Sequence, residues 1–172
     1  AKRIVTTSPI LSHKKLASLL ANKLFLSEEF DLSYHINEEL ETAIKSLGNR
    51  VIASVKKGTT LIHLREGLPT KKRLVINALL ATGYIHQQLV SLGLRSDANI
   101  IVSTGSARDT HSIACLISFG ATAVFPWLAF QSILHLTKKG EIRGSPTENC
   151  AKYRKGINKG ILKIISKIGI ST

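Results

Sequence analysis

The residues best equipped for chemistry form a short loop, Thr104-Gly105-Ser106-Ala107-Arg108, which follows an apolar β-rich segment and leads into a helical one. Glycine lets a backbone approach an anion closely, and the start of the following helix presents free N–H groups. Gly105, Ser106 and Arg108 are therefore the candidate anion-binding residues. The stretch has neither the G-x-x-x-x-G-K-S/T of a P-loop nor a G-x-G-x-x-G fingerprint, so a purely structural βα turn is the weightier reading. Ser106, Asp109 and His111 have the residue types of a hydrolytic triad, but the G-x-S-x-G nucleophile elbow is missing and a hydrolase is rejected. The six histidines form no H-x-x-x-H pair and no Cys/His zinc pattern. His86, midway along an apolar helix, reads as a hydrogen-bonded packing residue. Cys115 and Cys150 make neither a C-x-x-C pair nor a disulfide framework, and read as small apolar residues in a reducing compartment. No catalytic residue and no metal ligand is assigned within the chain.

The elements that must position these residues alternate. Four short β-rich segments, at 30–36, 59–64, 99–103 and 123–125, are separated by helical patterns, the signature of a parallel α/β arrangement. The first long helix is expected over 38–57, with Asn37 as N-cap and Gly58 just past its end. A polar connection over 65–73, carrying Gly67 and Pro69, leads to an apolar helix over 74–92 that Gly93 stops. Further helices are expected over 109–119 and 127–136. Gly144-Ser145-Pro146-Thr147 opens a last long helix running to about Ile168, and Ser12 reads as the N-cap of a helix over 13–20.

The expected fold class is thus α/β, with about four parallel β-strands alternating with helices and a long C-terminal helix. Right-handed crossovers allow an open sheet or a half-barrel-like one, and periodicity does not separate them. Either places ligand chemistry at the C-terminal strand ends: Arg65-Glu66, the loop from Thr104 to Arg108, and Pro126-Trp127. The expected organisation is a linker over 1–11, an α/β domain over 12–150, and a helix with junction over 151–172.

Composition narrows the function classes. With 172 residues, 44% of them hydrophobic, and a mean hydropathy of +0.12, the chain suits one soluble domain rather than a disordered or membrane protein. No apolar run approaches the roughly 20 residues that span a bilayer, so no membrane insertion is expected. The absence of methionine leads us to expect a start inside a longer chain, and no signal-peptide core is visible. The net charge of +13 would attract nucleic acid, an anionic membrane or an acidic protein. Dispersed lysines also fit a merely solvated surface. The last helix interleaves Lys152, Arg154, Lys155, Lys159, Lys163 and Lys167 with isoleucines, giving a cationic face that either docks an anionic partner or is solvated while the apolar side packs on its own domain. The second reading weighs more. Nucleic acid is not expected, because only Tyr153 is near to stack on bases.

Three blocks carry a resemblance. Residues 79–95, LLATGYIHQQLVSLGLR, are similar to the glutamate synthase pattern of an apolar helix with a histidine run ending in Gly-Leu-Arg, with only His86 of that run retained. Residues 115–130, CLISFGATAVFPWLAF, resemble that family's Leu-Ile-x-Tyr-Gly-Ala…Pro-Tyr-Leu-Ala block, with Phe119 and Trp127 in place of tyrosines. Residues 158–172, NKGILKIISKIGIST, resemble its junction into the flavin domain, with Ile165 and Ile168 where methionines usually stand. With Ser8-Pro9-Ile10-Leu11 the blocks span nearly the whole chain. Ser106 departs from the pattern, since many members carry Glu in a Gly-Glu-Ala-Arg loop.

The resemblance implies an amidotransferase-oxidoreductase that makes L-glutamate from L-glutamine and 2-oxoglutarate, with ammonia passed internally and reduced FMN converting the imine. It places this chain late in the central domain, as a scaffold without activity of its own. FMN and a 3Fe-4S cluster would belong to the parent enzyme, with no cofactor inside this chain except that Ile170, Ser171 and Thr172 would lie near FMN. Partners would be the parent's glutaminase and FMN-binding domains. The spellings Ala-Val-Phe-Pro-Trp and KYRKGINKG resemble the ferredoxin-dependent cyanobacterial and plastid type, which implies ferredoxin as electron donor and a plastid-stromal or cytoplasmic location. The open alternative is a free-standing α/β domain that binds an anion at the loop from Thr104 to Arg108.

Overall fold

Alternation along the strands divides their side chains between two apolar layers. A computed structural model describes residues 3–169. Its main sheet consists of β1 (Ser27–Asp31), β3 (Leu61–Arg65), β5 (Asn99–Thr104) and β6 (Ala121–Pro126), all parallel and in that spatial order. The intervening helices are α2 (Leu40–Lys56), α3 (Ala78–Ser91) and α4 (Thr110–Ser118), followed by α5 (Trp127–Lys138) and α6 (Pro146–Ile168). Because chain order runs one way across the sheet, right-handed crossovers must put α2, α3 and α4 on one face. That is the winding of a barrel segment; a doubly wound sheet reverses its order.

The larger core confirms this placement. Phe30, Ile62, Leu64, Ile100, Val102 and Val124 meet Leu47 and Val51 of α2, Ile85 and Leu89 of α3, Ile113 of α4, and Ile157 and Ile161 of α6. On the opposite face Leu61, Ile101 and Ala123 pack against Leu11 and Leu16 under the short helix α1 (His13–Leu20). Ser12 caps α1 as expected, its side chain accepting from the Lys15 N–H. Of the segment read as a linker, Ile10 forms a parallel bridge with Val124, and the Leu11 N–H donates to the Val124 carbonyl at 2.8 Å. The anticipated boundary at 150 falls within α6.

Two expectations need correction. The segment 30–36 is not one strand: β1 stops at Asp31, whose carboxylate accepts from the Ser33 N–H at 2.9 Å, and β2 (Ser33–His35) departs to pair antiparallel with β4 (Arg73–Val75). The helix expected from 74 instead begins at Ala78, because residues 73–75 are taken by β4 and Asn77 caps α3 by accepting from Leu79 and Leu80 N–H. This two-stranded flap is a non-local pairing that apolar periodicity does not register. A smaller shift moves the start of α2: Glu39, not Asn37, is its N-cap and makes no side-chain cap.

The last helix matches its sequence signals closely. Ser145 and Glu148 form a reciprocal capping box, Pro146 occupies the first turn, and Gly169 ends the helix at φ 79°. Ile157 and Ile161 are buried while Lys155, Lys159, Lys163 and Lys167 are exposed, so the apolar side does pack on its own domain.

Candidate functional site

The three C-terminal strand ends singled out from sequence come together around one side chain. Glu66 follows β3 directly, and its backbone N–H donates to the Ser103 carbonyl at 2.8 Å, which carries the chain one residue further along β5. Its carboxylate thereby reaches the β5–α4 loop. Oε2 accepts the backbone N–H of Gly105 at 2.8 Å and of Ser106 at 3.0 Å, and the Thr104 and Ser106 hydroxyls also donate to it. Thr104 Oγ1 in turn accepts from the Ala107 N–H at 3.3 Å. The loop does present its N–H groups to an anion, and that anion is the chain's own Glu66.

Trp127 closes the cluster. Its indole Nε1–H donates to the Glu66 carbonyl at 3.1 Å, and its ring lies so near Gly105 that a Cβ there would meet Cζ2 at 2.7 Å. Gly105 is thus required for close approach of a ring, not for a positive φ. Arg108 stays exposed, and what the cluster uses of it is the backbone carbonyl, which accepts from the Tyr153 hydroxyl at 2.9 Å. Burial pushes the Tyr153 phenol up to about 12, with the Asp109 charge adding to the effect.

A second polar group lies on the face that α1 partly covers. His63 is buried within β3, where its Nε2 shares a 2.7 Å hydrogen bond with Ser103 Oγ. Its Nδ1 sits 3.2 Å from Glu29 Oε2 but out of line for a hydrogen bond, so among the described residues this buried nitrogen has no well-aligned partner. Arg65 binds Glu29 at 2.6 Å and Asp31 at 3.0 Å. Burial lowers the His63 pKa against the opposing pull of Glu29, so the ring is held neutral. The sequence marks Glu66 only as part of the Arg65-Glu66 strand end, not as the acceptor for the Thr104 to Arg108 loop, and no motif marks His63. The available signal was a lone histidine at a fully buried position of a β-run, on the face opposite Ile62 and Leu64.

The remaining chemistry-bearing residues have local roles. Asp109 caps α4 by accepting from Ser112, bonds that hold its carboxyl below the usual range. His111 contacts Cys115 Sγ at 3.7 Å, so Ser106, Asp109 and His111 do not assemble. His86 Nδ1 accepts from Arg95 at 3.0 Å, and Arg95 also ties down the Ala98 and Gly120 carbonyls. An iron-sulfur cluster needs several thiolates. Cys115 lies on α4 and Cys150 on α6, and no three His, Cys, Asp or Glu side chains converge among the described residues, so these residues do not fit a cluster. Ile170, Ser171 and Thr172 lie outside the described residues.

The family model for the glutamate synthase central domain matches residues 1–172. The chain belongs to that family. This central domain is 32% identical over 173 residues to the glutamate synthase [NADPH] large chain of Bacillus subtilis, covering 99% of the chain and 11% of the relative. It is 34% identical over 187 residues to the chloroplastic ferredoxin-dependent glutamate synthase of Oryza sativa subsp. japonica, covering 99% and 12%. The central domain therefore spans about a ninth of the length of such relatives. Among solved structures, a flavocytochrome b2 variant with sulfite bound shares the fold, with a TM-score of 0.55 at 13% identity over 88% of this chain and 35% of that one.

Proposed function

We propose that this central domain is the interdomain scaffold of a glutamate synthase, which makes L-glutamate from L-glutamine and 2-oxoglutarate by passing ammonia internally to an FMN-dependent reduction. The observation that carries the reading is the Glu66 cluster, seated in a chain matched by the family from end to end. At the strand ends, where a parallel α/β fold ordinarily keeps an open ligand crevice, Glu66 ties the β3, β5 and β6 termini to one another. A brace at that position supports a fixed separation between two reaction centres, which an internally transferred intermediate requires. FMN and a 3Fe-4S cluster would be held by other parts of the parent enzyme, alongside its glutaminase domain.

Ferredoxin is the proposed electron donor, in a plastid stroma or bacterial cytoplasm. Support comes from the +13 charge and from the exposed Lys152 and Lys155 of α6, which suit an acidic protein. The relatives include both NADPH and ferredoxin types at similar identity. A second reading, in which Gly105, Ser106 and Arg108 bind an external anion, would require Glu66 to leave its place.

The decisive test is Glu66→Ala in the full-length enzyme, with synthesis from glutamine compared with synthesis from added ammonia. Under the scaffold reading, glutamine-dependent synthesis falls while glutaminase turnover and ammonia-dependent synthesis persist. An unchanged ratio between the two synthesis rates would sink it.

A further inference from the structure

Beside the Glu66 cluster, with which it shares Trp127, a cavity of about 650 Å³ opens between α1, the end of β6, α5 and α6. Its apolar wall is aromatic. Phe125 stacks on Phe130 at 6.0 Å between centroids, His13 meets Phe125 edge-on at 6.1 Å, and Trp127 and Leu134 continue the surface. Lys14 and Arg154 stand at this wall, and among the described residues no aspartate or glutamate lines the cavity. Neither cation has a carboxylate within ion-pair distance among the described residues.

That combination differs from a packing defect. Cavities left between helices are small and uniformly apolar, whereas ligand sites have several hundred Å³, a mostly apolar lining and a few polar groups that fix orientation. Here the full charges among the described lining residues are positive. The helix starts at His13 and at Pro146 and Thr147 border the same space and reinforce that sign. An aromatic floor suits a ring-sized apolar body, and unpaired ammonium and guanidinium groups suit an anion.

We propose that this cavity binds a small amphipathic anion, with one ring-sized apolar body against Phe125, Trp127 and Leu134 and one carboxylate or phosphate group met by Lys14 and Arg154. The site is additional to the reaction proposed above and does not depend on it.

The test is calorimetric titration of the full-length protein with indole-3-acetate and phenyl phosphate as probes, and with tryptamine and acetate as controls for charge and ring. Both anionic probes should bind saturably, and the controls at least tenfold more weakly. Arg154→Glu should weaken the anions tenfold or more, and Ala151→Phe, which fills the cavity from an exposed position of α6, should abolish the same binding event. Binding of only one anion supports the site and assigns its head group. The proposal is overturned if tryptamine binds as well as the anions or if neither substitution alters binding. It is equally overturned if the full-length protein binds neither probe because another of its segments fills the cavity.

Discussion

Glu66 Oε2 lies 2.8 Å from the backbone nitrogen of Gly105, so a carboxylate from the end of one strand occupies the loop that follows the next. Substituting Glu66 by Ala leaves the Gly105 N–H without its acceptor and the Ser106 N–H with Thr104 Oγ1 alone, at 3.1 Å. The expected loss is roughly 2–4 kcal/mol in chemical denaturation of the 172-residue chain, with Glu66→Gln losing less because one oxygen still accepts. Equal losses for the two variants would show that the charge, and not the acceptor geometry, dominates.

Two glycines of α6 should respond with opposite signs. A Cβ at Gly160 would meet Thr110 Cγ2 at 2.5 Å where α6 crosses α4, while a Cβ at Gly156 meets nothing within 4 Å. Gly160→Ala should destabilise the chain by roughly 1–3 kcal/mol through overpacking. Gly156→Ala should stabilise it by roughly 0.5–1 kcal/mol, because alanine loses less backbone freedom in a helix. Denaturant midpoints of the two variants against wild type decide the matter.

His63 should make stability fall on the acid side of neutrality. Its folded-state pKa lies below the ordinary 6.5, chiefly because burial disfavours the imidazolium, with Arg65 adding to the effect and Glu29 opposing it. The unfolded chain then binds the proton first, so the His63 contribution to stability is constant above about pH 7 and declines as pH drops through 6.5 toward the folded value. His63→Leu should flatten that slope in denaturation curves taken between pH 7.5 and pH 5.

Tyr153 should act at the alkaline end. Its phenol is held up to about 12 against an ordinary 10.0, so the unfolded chain ionises first and stability declines as pH rises above 10. Tyr153→Phe should remove that decline and lose the bond to the Arg108 carbonyl, at roughly 0.5–1.5 kcal/mol near neutrality. Ultraviolet titration of the phenolate checks the first part, and denaturation the second.

If α6 presents a docking face, exchanging Lys152, Arg154 and Lys155 for Glu in the full-length enzyme should weaken ferredoxin at least tenfold at low ionic strength and much less in high salt. Affinity unchanged at low salt would count against docking on this helix.

The amino-acid sequence by itself determined the parallel α/β alternation, the cap at Ser12 and the extent of α6, because each is set by local periodicity or by one terminal side chain. The family was also legible, in blocks spread along the chain. Tertiary structure alone decided the one-way strand order, the departure of residues 33–35 into a flap with 73–75, and the roles of Glu66 and His63. Each of these depends on partners distant in the chain, as with Glu66 and Gly105, which lie 39 residues apart. A glutamate after a strand and a glycine in a later loop carry no mutual signal until the sheet sets them side by side.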